Sequence, residues 1–223
     1  MNFTDHHNLY LGLSTKKDGP MKNSLANRLL FFKNNNLDTK IIVSAGLVHQ
    51  NKVVSVDNIS KSQIITGCDA LITNQDKYLL TVTVADCLPI YFYDQNKKVV
   101  ALAHAGWRGV ISEIAKEVIN KFIADYHSNS GDIEVFIGPH LKDCHFEVKT
   151  DVASQFKISD SVSRNGKIYI NLAQVIKDQL LSLGVISVKV SQECTHCLSN
   201  KYFSFRRDKP PEPETMIAYL GLK

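Results

Sequence analysis

Three side chains able to ligate a transition metal, or to act as a nucleophile and its base, stand out: His49, Cys87 and His104. Cys87 lies in Val84-Ala85-Asp86-Cys87-Leu88-Pro89, and His104 in Ala103-His104-Ala105-Gly106-Trp107-Arg108-Gly109. Both blocks follow apolar, strand-like runs. Two imidazoles and a thiolate with a fourth position left open make a catalytic zinc site. Without a metal, Cys87 and His104 make a nucleophile–base pair. The intervals lack the short paired spacing of a zinc finger, so spacing alone is a weak metal signal. Free cysteine is often a small buried hydrophobe, and a strand histidine is often a core residue. The setting favours a site: Ala103, Ala105 and Gly106 clear space beside His104, while Asp86 and Pro89 restrict the chain around Cys87.

Four arginines, Arg28, Arg108, Arg206 and Arg207, are candidate phosphate binders, because a guanidinium fork matches phosphate oxygens. The competing assignment for each is a surface ion pair. Arg108 gains from its place beside His104, just before a helix start that can face an anion. Asp69 is either a partner that orients a ligand histidine or a turn former. Trp107 can stack on a planar ligand or fill the core. Cys194-Thr195-His196-Cys197 is a lone C-x-x-C; with no second such pair, a closed structural zinc site is not expected, and a structural or site-lining role is preferred. Cys144-His145 reads as packing plus a surface histidine. His140 receives little weight, and His6 and His7, at the terminus, receive none.

The elements that must position these residues follow from periodicity. Strands are predicted over Ile41–Ser44, Lys52–Val56, Tyr78–Val84, Ile90–Tyr93, Val99–Ala103, Ile133–Ile137, Lys167–Ile170, Ser187–Ser191 and Met216–Leu220. Helices are predicted over Ser24–Lys33, Val110–Tyr126 and Leu172–Leu183. The second carries an apolar stripe of Ile111, Ile114, Ala115, Val118, Ile119, Phe122 and Ile123. The third is capped by Asn171 and ends at Gly184. Pro210-Pro211-Glu212-Pro213-Glu214 reads as an exposed loop before the last strand. Strict βαβ alternation is missing, which favours an α+β arrangement of mixed sheets covered by helices. Asp86-Cys87 and His104-Ala105-Gly106 then sit where two strands run out, and can face one cleft.

The 223 residues, 44% of them hydrophobic, suffice for one well-buried core, so a single domain over residues 1–223 is expected. The net charge of +4 comes from 26 basic and 22 acidic side chains spread along the chain. This is not the clustered basic face of a nucleic-acid binder. No run is long enough to span a membrane. The start of the chain has no basic flank and no apolar core of a secretory signal. Five cysteines without such a signal point to reduced thiols or metal ligands. The expected setting is cytoplasmic, with the oligomeric state left open.

Together, Leu47-Val48-His49, Asp69-Ala70-Leu71-Ile72-Thr73, Ala85-Asp86-Cys87-Leu88-Pro89, His104-Ala105-Gly106-Trp107-Arg108-Gly109, Ile137-Gly138-Pro139, Cys194-Thr195-His196-Cys197 and Phe203-Ser204-Phe205-Arg206-Arg207 resemble the purine nucleoside phosphorylase family of the YfiH/LACC type. That family is also called the laccase-domain, polyphenol oxidase or peptidoglycan editing factor family. The resemblance runs from about Leu11 to the end, with the motifs in the family's order. It implies a four-layer α/β/β/α fold of mixed sheets. It also implies Zn²⁺ on His49, Cys87 and His104, with Arg28, Arg108 and Arg206 as substrate-binding candidates. The implied activity is phosphorolysis of adenosine, inosine and methylthioadenosine to base and ribose 1-phosphate, with adenosine deamination as a second activity. The chain departs from the family pattern at Leu47, in a short segment between Gly12 and Arg28, and at Lys209-Pro210-Pro211-Glu212-Pro213. Multicopper chemistry fits poorly: the chain has eight histidines and no His-x-His pair. Two other readings stay open, a Cys87–His104 amide hydrolase acting on miscoupled peptidoglycan precursors and a non-catalytic zinc module.

Overall fold

The structure, a computed structural model, describes residues 8–22 and 24–223. His6 and His7 lie outside the described residues. Two sheets dominate. The first has the order β1 (Leu9–Leu13), β14 (Met216–Leu222), β6 (Tyr78–Val84), β2 (Ile41–Gly46), β4 (Gln63–Thr66). The second has the order β13 (Ser187–Val190), β9 (Ile133–Ile137), β7 (Leu88–Asp94), β8 (Val99–Ala105), β5 (Ala70–Thr73), β3 (Val53–Ser55). Both mix parallel and antiparallel pairs. A small antiparallel sheet of β10 (Glu147–Val148), β12 (Lys167–Ile170) and β11 (Ser161–Arg164) stands apart.

Side-chain alternation explains the layering. In β8, Val99, Ala101, Ala103 and Ala105 face one way, into a core shared with α3 (Ile114–Tyr126) and α5 (Leu172–Ser182). Val100 and Leu102 face the other way and meet Val43, Leu80 and Val82 of the first sheet. The outer face of the first sheet, through Leu79 and Ile217, is covered by Phe31 and Phe32 of α1 (Leu25–Asn34). The result is the expected α/β/β/α sandwich. Strands buried on both faces read as continuous apolar runs, which is why Tyr78–Val84 and Val99–Ala103 stood out so clearly.

The differences from the sequence expectation are local. β7 begins at Leu88 and β8 continues to Ala105, so Pro89 and His104 are opposed within the ladder. The strands β1, β4 and β5 are short or at the sheet rim, and their patterns were too brief to register. The helix predicted over Val110–Tyr126 is two helices, α2 (Trp107–Ile111) and α3, broken at Glu113 with φ 56°. At the break, Val110 O accepts the Glu113 N–H at 3.1 Å and Gln179 Nε2 at 3.0 Å, and Ser112 O accepts from Asn51 Nδ2 at 2.7 Å. Val110 and Ile114, on either side of the break, both enter the same core. Two short helices, α4 (Thr150–Ala153) and α6 (Phe205–Asp208), complete the description. Among the described residues, no helix is long and apolar enough to cross a membrane.

Candidate metal centre and cavity

His104 sits near the end of β8, on the strand face that looks between the two main sheets. Cys87 lies in the turn that joins β6 to β7, and His49 follows β2. The three side chains converge: the atoms they offer as ligands all lie within 4.8 Å of one another. The two imidazole rings are 4.9 Å apart and nearly perpendicular, at 89°. Two of the turns that achieve this are strained, with φ 61° at His49 and 84° at Asp86. Non-glycine residues seldom occupy this region, and such strain tends to gather at functional sites.

Asp69 holds the site from beneath and is fully buried. Its Oδ1 accepts the His49 N–H at 2.8 Å and lies 3.3 Å from His104 Nδ1, while Oδ2 accepts the Gln50 N–H at 2.8 Å. Its backbone carbonyl accepts the His104 N–H at 2.8 Å. Asp69 is thus both a turn former and an orienting partner. With Nδ1 engaged, Nε2 is the ring nitrogen that His104 has left for a ligand. Burial opposes the charged form of His104, but Cys87 and Asp69 outweigh it and push the ring up to about 9. For Asp69, burial is outweighed by hydrogen bonds from His104 and from the Gln50 and His49 N–H groups, which hold it below the usual carboxylate range. His49 is pushed down by burial and by its neighbour His104.

Asp86 gathers three segments. Its Oδ1 accepts the Thr195 hydroxyl at 2.6 Å, its Oδ2 the Arg206 N–H at 2.7 Å, and its backbone carbonyl the Leu141 N–H at 2.9 Å. These contacts close the wall of a cavity of about 560 Å³ that contains His49, Cys87 and His104, within the size range of small-molecule sites. Lys22, Arg28 and Arg206 bring positive charge to it, and Leu141, Phe146 and Phe205 bring apolar surface.

Two of the three substrate-binding candidates therefore join the three ligand candidates. Arg206 Nη1 is steadied by Glu147 O at 2.7 Å, and its guanidinium lies 5.4 Å from the Phe146 ring centre. Arg28 donates to Met21 O and Lys22 O. Arg108 lies outside this lining and stacks on Trp107 at 4.2 Å, although its charge still helps to depress His49. Trp107 packs against the helix-side core. Arg207 donates to the carbonyls of Thr195, His196 and Tyr202, so it ties one loop to another. His140 is buried with Nδ1 on Gly138 O at 2.8 Å and is not part of the lining. Lys22 and Phe205 were not singled out as lining: Lys22 is a single lysine in a loop, and Phe205, the first residue of α6, figures only as part of the Phe203-Ser204-Phe205-Arg206-Arg207 motif.

Cys144 and His145, read separately from the C-x-x-C, lie beside it: the ligand atoms of Cys144, His145, Cys194 and Cys197 all fall within 4.8 Å of one another. The neighbouring strands β9 and β13, which are parallel, bring the two loops together, and this pairing leaves no trace in local spacing.

The donor set of His49, Cys87 and His104 fits a borderline-soft divalent ion. Gly106 preserves the room for it: a Cβ there would stand 3.2 Å from Cys87 Sγ and 3.7 Å from His49 Cδ2.

Comparison with known proteins agrees with this architecture. The family model described as multi-copper polyphenol oxidoreductase laccase matches residues 5–222. A purine nucleoside phosphorylase of Clostridium acetobutylicum is 36% identical over 166 residues, 72% of this chain and 68% of that protein. An adenosine deaminase from an unknown prokaryotic organism is 34% identical over 164 residues, 69% of this chain and 62% of that protein. The crystal structure of YlmD from Geobacillus stearothermophilus superposes with a TM-score of 0.88 at 26% identity, covering 97% of this chain and 93% of that one. With nearly its whole length matched by the family model and its fold shared with YlmD, the chain belongs to the YfiH/YlmD family, the one described as multi-copper polyphenol oxidoreductase laccase.

Proposed function

We propose that the protein is a zinc-dependent purine nucleoside phosphorylase with an adenosine deaminase side activity. Its substrates would be adenosine, inosine and methylthioadenosine, together with phosphate. The observation that carries this reading is that His49, Cys87 and His104 share one cavity with Lys22, Arg28 and Arg206. Relatives named as a phosphorylase and as a deaminase support both activities.

Zinc on His49, Cys87 and His104 would supply Lewis-acid activation of an oxygen nucleophile. In phosphorolysis, a phosphate oxygen bonds to ribose C1′ as the C1′–purine bond breaks, and the purine leaves with the electron pair and takes up a proton. Lys22, Arg28 and Arg206 would offset the charge of the phosphate and of the ribose 1-phosphate formed. Leu141, Phe146 and Phe205 would cover the purine ring and exclude water from it. Asp69 would hold His104 in one tautomer, and Asp86 would hold the cavity wall in register. In deamination, water replaces the exocyclic amine at purine C6, giving inosine and ammonia. The proposed setting is the cytoplasm.

A second reading rests on the contact of Cys87 with His104: a thiol hydrolase in which Cys87 attacks an amide and His104 moves the proton. Incubation with adenosine and phosphate, with and without a chelator, separates the two. Adenine and ribose 1-phosphate formed only with metal support the phosphorylase, and inosine supports the deaminase. Neither product from folded, zinc-loaded protein would refute the proposal.

A further inference from the structure

We propose that Cys144, His145, Cys194 and Cys197 form a second zinc site, closed and structural, that pins together two loops flanking the cavity. It shares no residue with the first cluster and does not depend on the activity proposed above.

The geometry is quantitative. Cys144 Sγ lies 3.6 Å from Cys194 Sγ and 3.8 Å from Cys197 Sγ. His145 Nδ1 lies 3.2 Å from Cys144 Sγ and 3.4 Å from Cys197 Sγ. All four ligand atoms lie within 4.8 Å of one another. A tetrahedral zinc ion with its usual bond lengths separates two sulfurs by about 3.8 Å and a sulfur from a nitrogen by about 3.6 Å. Four of the six edges of that tetrahedron are thus matched to within about 0.4 Å, and the other two stay under 4.8 Å. A disulfide, by contrast, brings two sulfurs to about 2.0 Å. It would use only two of the three thiols and leave the imidazole without a task.

The backbone delivers the ligands in two turns. Cys144 and His145 come from the loop after β9, and Cys194 and Cys197 from the loop after β13. The strands pair in parallel up to Ile137 and Val190, and a bridge between His140 and Cys194 carries the pairing further. The Thr195 N–H then donates to His140 O at 3.0 Å. His145 stacks on His196 with ring centres 3.8 Å apart and 15° between planes, which fixes the direction of its Nδ1. Three thiolates and one imidazole select zinc over harder ions, and four protein ligands leave no open position. The first cluster, with three, leaves one.

The loops so joined matter to the cavity. One carries Leu141 and Phe146 into its lining, and the other carries Thr195 to Asp86. A metal here would hold that wall in place rather than touch substrate.

The test is metal content and thiol state in the intact protein, purified with reductant and zinc and then freed of the reductant and of unbound zinc. About two zinc ions per chain are expected in the wild type and about one in Cys87→Ser, whose second cluster is untouched. In Cys87→Ser, bound zinc should shield three thiols from alkylation, and cobalt in its place should give an intense thiolate charge-transfer band. Cys194→Ser should also fall to about one zinc, with the band weakened to that of one thiolate. Because the decisive variant leaves the cluster whole, misfolding of Cys194→Ser would not spoil the result. A Cys87→Ser protein that is folded yet holds no zinc, or a mass two hydrogens short that shows a Cys144–Cys194 or Cys144–Cys197 disulfide in the zinc-treated protein, would overturn the proposal.

Discussion

Thr195 and Asp86 are joined by a 2.6 Å hydrogen bond, and each is the immediate neighbour of a cysteine in a different cluster, Cys194 for the one and Cys87 for the other. The two clusters are therefore mechanically connected through one hydroxyl and one carboxylate. Replacing Thr195 with Val keeps the shape of this fully buried side chain but leaves Asp86 Oδ1 without a donor. A hydrogen bond to a charged group is worth about 1.5–3 kcal/mol. Urea unfolding of Thr195→Val should show a loss of that size, together with weaker nucleoside turnover. An unchanged midpoint would mean that the contact is mechanically idle.

Asp69 should matter more to metal affinity than to architecture. Asp69→Asn keeps one acceptor oxygen for His49 and His104, but it removes the charge that orients His104 and the oxygen that accepts the Gln50 N–H. Loss of such a partner typically costs 10–100-fold in metal affinity. Competition with a chromophoric chelator should show a drop of about that size at the first site. Affinity equal to wild type would assign Asp69 to the turn alone.

Gly106→Ala tests the room beside Cys87. The backbone there, at φ −78° and ψ 175°, accepts alanine without strain, so any effect comes from the new methyl group 3.2 Å from the sulfur. A sulfur displaced by a few tenths of an ångström should cost about tenfold in kcat/KM, with the melting temperature little changed. Full activity in the variant would show that the sulfur position is not critical.

His140 predicts a pH dependence of stability. Burial drives its pKa down from 6.5 to about 4, despite the hydrogen bond to Gly138 O, so the folded protein holds it neutral. Below 6.5 the unfolded chain takes up the proton more readily, and the stability contributed by the neutral ring is lost as pH falls from 6.5 towards 4. The loss is on the order of 3 kcal/mol. His140→Asn keeps a donor for Gly138 O but cannot titrate. Its unfolding free energy should fall less steeply than wild type between those pH values, and parallel slopes would contradict the assignment.

Much of this was legible in the chain. The long strands β6 and β8, almost wholly buried, read as nearly continuous apolar runs, and His104 stands out because Ala103, Ala105 and Gly106 surround it. Ser24 and Asn171 marked two helix starts, and both accept the expected backbone N–H. What the sequence hid are relations between distant segments. The break at Glu113 depends on Gln179 and Asn51, which reach it from elsewhere. Arg108, four residues after His104, lies against Trp107 and outside the cavity lining, a side-chain direction that sequence proximity does not reveal. Cys144 and Cys194 meet only because β9 and β13 lie side by side, which no count of C-x-x-C motifs can reveal.

The left-handed backbone at Asp86, with φ 84°, has a consequence for any mutational library at that codon. Glycine would relax the main chain but offer the Thr195 hydroxyl and the Arg206 amide nothing to hold. Asparagine tolerates the dihedral but brings one acceptor oxygen where two are in use. Glutamate has both oxygens on a longer arm and lacks the short side chain that makes this conformation tolerable. Saturation mutagenesis should thus return aspartate alone as fully competent, a position where stereochemistry and valence are satisfied by the same residue and by no substitute.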